Sequence, residues 1–249
     1  MDEYFTESKK LADDIEGMMS PFSMAVVDSL LAFQKTRGIG GDILEMGVYH
    51  GKSAAILGRR MAATETLHLY DIAEYFDRKN LARVGVNIRY NIANTQRLFR
   101  WNFRKQKKSI RFCHIDASHM FDPTVHEMAI ADYVLSNDGI VCLDDYTNLN
   151  YSQILAATFK YLFTKSTDLT MFLVTAEKAY LCRKSAFPIY GQFVLDKICA
   201  EVSRRGVDPC LARTDAGRNY RAFHLRAKEV GETDDIYGRS IYGHFYQKP

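Results

Sequence analysis

Three aspartates and one histidine are the side chains best placed to do chemistry. Asp116 follows the apolar run IRFCHI (110–115), and Asp144 and Asp145 follow IVCL (140–143). If the two runs are neighbouring buried strands, these carboxylates converge at one rim of a sheet. Like charges brought that close repel. A hard divalent cation is the simplest offset, and oxygen ligands with open positions suit Mg²⁺, or else Mn²⁺ or Ca²⁺. In the opposing reading one or two of the acids face solvent or cap the next helix. His119 lies three residues after Asp116. An imidazole there titrates near neutrality and is a candidate general base for a hydroxyl held by the metal; a surface-loop histidine is the alternative. His114, inside its run, reads as a packed core residue.

The stretch that must position these groups is GDILEMGVYHGKS, residues 41–53. A short apolar run, a bend with two glycines and then helix-forming residues predict a buried strand, a tight turn and a helix start. Backbone N–H groups in such a turn come close to a ligand, and the helix start adds partial positive charge. A P-loop needs Gly where Met46 stands, although Gly51, Lys52 and Ser53 are present. A dinucleotide fingerprint needs Gly where Tyr49 stands. The pattern E-x-G-x-x-x-G fits as it is, from Glu45 through Gly47, Val48 and Tyr49 to Gly51. A plain glycine turn remains the other reading.

The rest of the chain alternates helices and strands. Ser20-Pro21 is a helix start, and residues 21–36 carry an apolar stripe at helical spacing. Strands are predicted over 42–46, 67–71, 86–90, 110–116, 140–143, 169–174 and 178–182, with helices over 53–63, 74–84, 123–135, 151–163 and 189–204, and a turn at 137–139. This is an α/β, doubly wound, mostly parallel seven-stranded sheet with an antiparallel hairpin at its C-terminal end, and ligands belong at the carboxyl ends of its strands. Asp71 ends the second strand, 24 residues after Gly47, where an acid accepts hydrogen bonds from ribose hydroxyls; a helix cap is its alternative. Asn94 lies in the next strand's loop, on the adenine side. The divisions are a helical cap (1–36), a cofactor-binding catalytic domain (37–186) and a C-terminal extension (187–249) that acts as a lid or dimer contact. The extension ends in an aromatic tail with the echo IYG at 236–238 and 241–243.

The composition is that of an ordinary globular protein: 47% hydrophobic, 25% charged, net charge +3. Such a balance gives no strong pull towards nucleic acid or anionic membrane. The basic run from Arg97 to Arg111 has interleaved aromatics, and an amphipathic helix with a solvated face is expected rather than a nucleic-acid grip. Five scattered cysteines without a C-x-x-C pair read as reduced thiols of a cytoplasmic protein. No signal peptide and no run of membrane-spanning length is evident.

The segments ILEMGVYHGKS, HIDASH and GIVCLDDY resemble the three signatures of class I S-adenosylmethionine-dependent O-methyltransferases that use a metal. The likeness runs over about residues 20–184 and is nearest to the group that methylates sugar hydroxyls of macrolides, which carries H-I-D-x-x-H and a D-D-Y strand end. Ala117 stands where that group has Gly. The catechol-type group has the same spacing of 28 residues between its metal aspartates, but with Lys as base and Asn as last ligand. The resemblance implies a Rossmann-like methyltransferase fold with S-adenosylmethionine over Glu45, Gly47, Val48, Tyr49, Gly51, Ser53, Asp71, Asn94 and Asp116. It further implies Mg²⁺ on Asp116, Asp144 and Asp145, and His119 as base with Asp116 beside it. The expected acceptor is a hydroxylated small molecule, a sugar or natural-product diol, and the aromatic tail suits a homo-oligomer. Two other readings stay open: a P-loop-like nucleotide hydrolase, and a non-catalytic binding module on the same fold.

Overall fold

The computed structural model describes residues 2–213 and 222–228. Among the described residues nine strands form one sheet: β1 (Asp42–Met46), β2 (Thr66–Asp71), β3 (Asn87–Ile92), β4 (Ile110–Ile115), β5 (Leu135–Leu143), β6 (Leu169–Val174), β7 (Ala179–Arg183), β8 (Pro209–Arg213) and β9 (Phe223–Ala227). Their order is β3-β2-β1-β4-β5-β7-β6-β9-β8. The first five pair in parallel, and β7 enters antiparallel between β5 and β6. The doubly wound reading holds, with two more strands than the seven expected. Both come from the stretch after residue 187, where β9 pairs with β6 and β8 with β9. Their five-residue alternations are too short to give a clear strand signal. The IYG echo lies outside the described residues.

Two apolar layers hold the sheet between helices. Residues of opposite parity on one strand face opposite sides. Ile43, Phe112 and Ile140 join the layer that receives α1 (Glu3–Asp13), α2 (Pro21–Thr36), α3 (Lys52–Gly58), α7 (Phe187–Asp196) and α8 (Ile198–Ser203). Leu44, Cys113 and Val141 join the layer under α5 (Phe121–Val134) and α6 (Gln153–Thr164). The start of α2 is fixed as its residues predict, with Pro21 in the first turn and the Ser20 hydroxyl accepting from the Ser23 N–H.

Several elements differ from expectation. The helix α3 ends at Gly58, and the expected helix over 74–84 is only α4 (Arg78–Ala82). The predicted turn at 137–139 is instead part of β5, where Gly139 lets the strand approach the Ile110 carbonyl; a Cβ there would stand 2.9 Å from that oxygen. Helix 189–204 is broken at Lys197, whose backbone (φ −132°, ψ −27°) separates α7 from α8. The basic run forms short 3₁₀ turns over Thr95–Arg97 and Arg100–Gln106. There the Asn94 and Asn102 side chains accept from the Gln96 and Phe99 N–H groups, local bonds that compete with a helix. Arg111 is no surface cation: it is buried and forks onto Glu65 at 2.9 and 3.0 Å.

Candidate active site at the carboxyl ends of the strands

The parallel order sets the ends of β2, β1, β4 and β5 side by side, which places Asp71, Gly47, Asp116 and Asp144 along one rim. The ladder continues one step past the strands: Gly47 N–H donates to Tyr70, Asp116 N–H to Met46 and Asp144 N–H to Ile115. Gly47 has φ +84°, and a Cβ there would lie 1.9 Å from the Asp116 carbonyl oxygen. Only glycine permits that crossing. Tyr49 also has positive φ (48°), so the chain turns sharply before α3.

Asp71 holds this bend together. Its Oδ2 accepts from the Val48 and Tyr49 N–H groups at 2.8 and 2.9 Å, and its Oδ1 from Ile72 N–H at 2.7 Å. It caps the glycine bend rather than a helix. A carboxylate offers about four acceptor sites, so capacity remains for a ligand.

A cavity of about 470 Å³ opens over the bend, a size suited to a small ligand. Gly47, Val48, Tyr49, Asp71, Asn94 and Asp116 line it, as does His119. Ser118, Thr95 and Gln96 also line it and were not singled out from sequence. The buried Ser118 hydroxyl has no hydrogen-bond partner. Thr95 donates to the buried Glu127 at 2.7 Å. Burial pushes the Glu127 carboxyl up to about 7, although the Thr95 bond opposes this.

Three expected cofactor residues are not on this surface. Ser53 and Gly51 belong to the start of α3; Gly51 is buried, with the Leu81 methyls where its Cβ would point. That covered helix start also gives no open phosphate cradle, which removes the support for a P-loop. Glu45 is 0% exposed. The register places it beside His114, and His114 beside Cys142. Glu45 Oε1 and His114 Nδ1 are 2.8 Å apart, while Glu45 Oε2 has no partner. The motif carboxylate is thus turned into the sheet's interior. His114 is buried as expected but is an ionic link rather than plain packing. Burial and the Lys178 charge oppose its protonation, yet hydrogen bonds with Asp144, Cys142 and Glu45 raise it well above the ordinary histidine range.

The metal triad is rearranged in the same way. The rim groups fall into two sets that share Asp116: His114, Asp116 and Asp144, and Asp116, His119 and Asp145. In the first set, the buried Lys178 ammonium pairs with Asp144 Oδ2 and stands 3.3 Å from His114 Nε2. Asp144 Oδ1 accepts the Asp145 N–H at 2.9 Å. Burial alone would raise the Asp144 carboxyl, but Lys178 and His114 hold it far below the usual carboxylate range. Both sets offer ligand atoms close enough together to hold a metal ion, but at Asp144 the offset expected from a cation is supplied by the chain's own side chains. Lys178 was missed in the sequence; the available signal was a lysine opening the otherwise apolar strand KAYLC.

In the second set, His119 Nε2 lies 3.0 Å from Asp116 Oδ1 and 3.2 Å from Asp145 Oδ2. The Asp116 hydrogen bond raises the His119 pKa above its ordinary value; burial opposes this, and the charges of Asp116, Asp145 and Asp144 add to it. Burial and the Asp144 charge keep Asp116 above the usual carboxylate range, against the His119 bond. Tyr151 stacks on the His119 ring at 4.3 Å. A second cavity, about 550 Å³, meets the first at Met18, Asp116 and His119 and extends to Asp145, Tyr151 and Glu177. Glu177 is fixed by the Ser20 and Ser23 hydroxyls of α2.

Residues 44–146 match the family model described as a methyltransferase domain. No curated protein sequence matches the chain. Among solved structures, the O-methyltransferase from Bacillus cereus in complex with S-adenosylhomocysteine superposes with TM-score 0.51 at 14% identity, over 73% of this chain and 90% of that one. TomG from Streptomyces achromogenes, an O-methyltransferase of tomaymycin synthesis in complex with S-adenosylmethionine, gives 0.51 at 14%, over 73% and 88%. CalS11, a TDP-rhamnose 3′-O-methyltransferase of calicheamicin biosynthesis, gives 0.50 at 14%, over 72% and 93%. At such identity the likeness is one of fold. The shared fold is the Rossmann-like α/β arrangement of these methyltransferases. Within that fold, residues 44–146 carry the part that matches a methyltransferase domain. Among the described residues no helix is long and apolar enough to cross a membrane.

Proposed function

We propose that this protein transfers the methyl group of S-adenosylmethionine to a hydroxyl of a small molecule, a sugar or another diol. The observation that carries the reading is the meeting of two cavities at Asp116 and His119. The first cavity suits the cofactor. The Gly47 bend lines its floor, Asp71 offers a carboxylate towards the ribose, and Asn94 with Thr95 and Gln96 borders the adenine side. Asp116 is the carboxylate left for the cofactor's ammonium group, since Glu45 is turned inward. S-adenosylmethionine supplies an electrophilic methyl group on sulfonium.

The second cavity would hold the acceptor. With Nε2 of His119 bonded to Asp116, the nitrogen that takes the hydroxyl proton is Nδ1. Asp116 and Asp145 then stabilise the imidazolium, as a buried acid does in other histidine dyads. The bond formed is oxygen to methyl carbon; the bond broken is methyl carbon to sulfur; the proton ends on His119. Holding the two reactants across one rim supplies proximity and orientation. The sugar reading draws support from CalS11, whose acceptor is a nucleotide-linked rhamnose. The Mg²⁺ expected on Asp116, Asp144 and Asp145 is not used in these steps.

Calorimetry with S-adenosylmethionine and with ATP is the first test, followed by mass spectrometry of a panel of hydroxylated acceptors. The reading expects binding of S-adenosylmethionine and a methylated product. ATP binding in its place would support the hydrolase, and cofactor binding with no turnover on any acceptor would support the binding module.

A further inference from the structure

The buried network behind the rim has an architecture of its own. The strand register sets Glu45 of β1 beside His114 of β4 and His114 beside Cys142 of β5. On the antiparallel pair of β5 and β7, Leu143 lies opposite Ala179. One step further out, the same register sets Asp144 opposite Lys178. Lys178 is 1% exposed. It is held in place from the turn before β7, where its N–H donates to the Thr175 hydroxyl and its carbonyl accepts the Thr175 N–H. The result is a row of alternating charge-bearing groups, Glu45, His114, Asp144 and Lys178, that runs from the interior to the rim.

We infer that the Lys178 ammonium occupies the place of a divalent cation at this rim, so that the site works without a bound metal. The inference rests on the reading of the rim as a methyl-transfer site, but its structural part concerns the donor set alone. Apart from Asp116 Oδ2, the carboxylate oxygens of the three aspartates already face partners. Asp144 Oδ2 belongs to Lys178 and Asp144 Oδ1 to the Asp145 N–H. Asp145 Oδ1 accepts from the Asn148 side chain, and Asp145 Oδ2 faces His119. Asp116 Oδ1 faces the same His119 nitrogen. Mg²⁺ demands near-octahedral oxygen coordination, and an ion at Asp144 would have to displace a buried ammonium from a carboxylate it already neutralises. The ammonium does the static part of a metal's task. It cancels the Asp144 charge beside Asp116 and fixes the β5 end from which Asp145 reaches His119.

The test is a Mn²⁺ titration of the full chain, followed by electron paramagnetic resonance and calorimetry, with and without S-adenosylhomocysteine. Wild type is expected to leave the Mn²⁺ signal that of the free ion. Lys178→Met keeps the side-chain stem and removes the charge; it is expected to bind Mn²⁺ at least tenfold more tightly than wild type. The double variant Lys178→Met with Asp144→Asn removes both partners and is expected to lose that gain. One Mn²⁺ bound tightly by wild type would overturn the inference, whether Asp144→Asn loses it or Asp116, His119 and Asp145 retain it, as would a folded Lys178→Met with no gain. If Lys178→Met does not fold, the wild-type and Asp144→Asn titrations still decide. Calorimetry with S-adenosylhomocysteine on the same sample separates the two readings. Cofactor binding together with tight Mn²⁺ binding sinks only the lysine inference, whereas no cofactor binding sinks the methyl-transfer reading and leaves the Mn²⁺ result to be judged by itself.

Discussion

A side-chain carbon on Gly47 would lie 1.9 Å from the carbonyl oxygen of Asp116. The two residues end adjacent parallel strands, and the contact between them joins the cofactor bend to the catalytic rim. Gly47→Ala therefore carries both backbone strain and a collision with main chain. Gly85, also at positive φ (+74°) but with open space around it, isolates the strain, about 1–3 kcal/mol. In urea unfolding Gly47→Ala should lose clearly more stability than Gly85→Ala, and it alone should lose cofactor binding. Equal losses would show that the contact is not tight.

Asp71 shapes the bend through two N–H groups on one oxygen. Asparagine would lose the charge and turn an N–H₂ group against one donor set. Charge-assisted hydrogen bonds contribute about 1.5–3 kcal/mol, so Asp71→Asn should weaken S-adenosylmethionine binding by about 10–100-fold. Calorimetry measures this directly.

His119 titrates above its ordinary value chiefly through its bond with Asp116. Nuclear magnetic resonance of the imidazole should show a pKa above 6.5 in wild type and a lower one in Asp116→Asn. Because the base is the neutral form, methyl transfer should rise with pH through that raised pKa. His119→Ala should lower turnover by roughly 10²–10⁴-fold.

The buried carboxyl of Glu127, raised to about 7 by burial, makes stability depend on pH in a definite direction. Its folded pKa exceeds the unfolded value of about 4.3, so the folded state holds the extra proton between these limits. Stability must fall as pH rises across that window, by on the order of 3 kcal/mol. Glu127→Gln keeps an acceptor for Thr95 and cannot ionise. Urea midpoints between pH 5 and 8 should fall in wild type and change less in the variant.

Asp28 is buried between two guanidinium groups, Arg60 at 2.7 and 2.8 Å and Arg205 at 2.7 Å. It ties α2 to the chain segments after α3 and α8. Asp28→Ala would leave the two buried cations with Asp2 and, for Arg205, Glu201 as their remaining acids, so the loss should approach but not exceed the about 3–5 kcal/mol of a fully broken buried pair. Denaturant unfolding should show that loss without change in the pH response of His119.

The sequence by itself determined those elements whose signals are local. Ser20 and Pro21 mark the start of α2, and the apolar runs mark β1, β4 and β6, because caps and burial periodicity act within a few residues. The placing of Asp71, Asp116 and Asp144 at strand ends was legible for the same reason, and the alternation of elements implied one shared rim. What lies across strands was not legible. Glu45 looked like a cofactor ligand, yet the pairing of β1 with β4 commits it to His114. Three aspartates looked in need of a metal, yet the antiparallel entry of β7 brings Lys178 to Asp144. Register is decided by the packing of whole layers, and a charge acquires its partner only when the layers close. The sheet's last two strands, β8 and β9, depend on long-range pairing in the same way and escaped a reading made from local pattern.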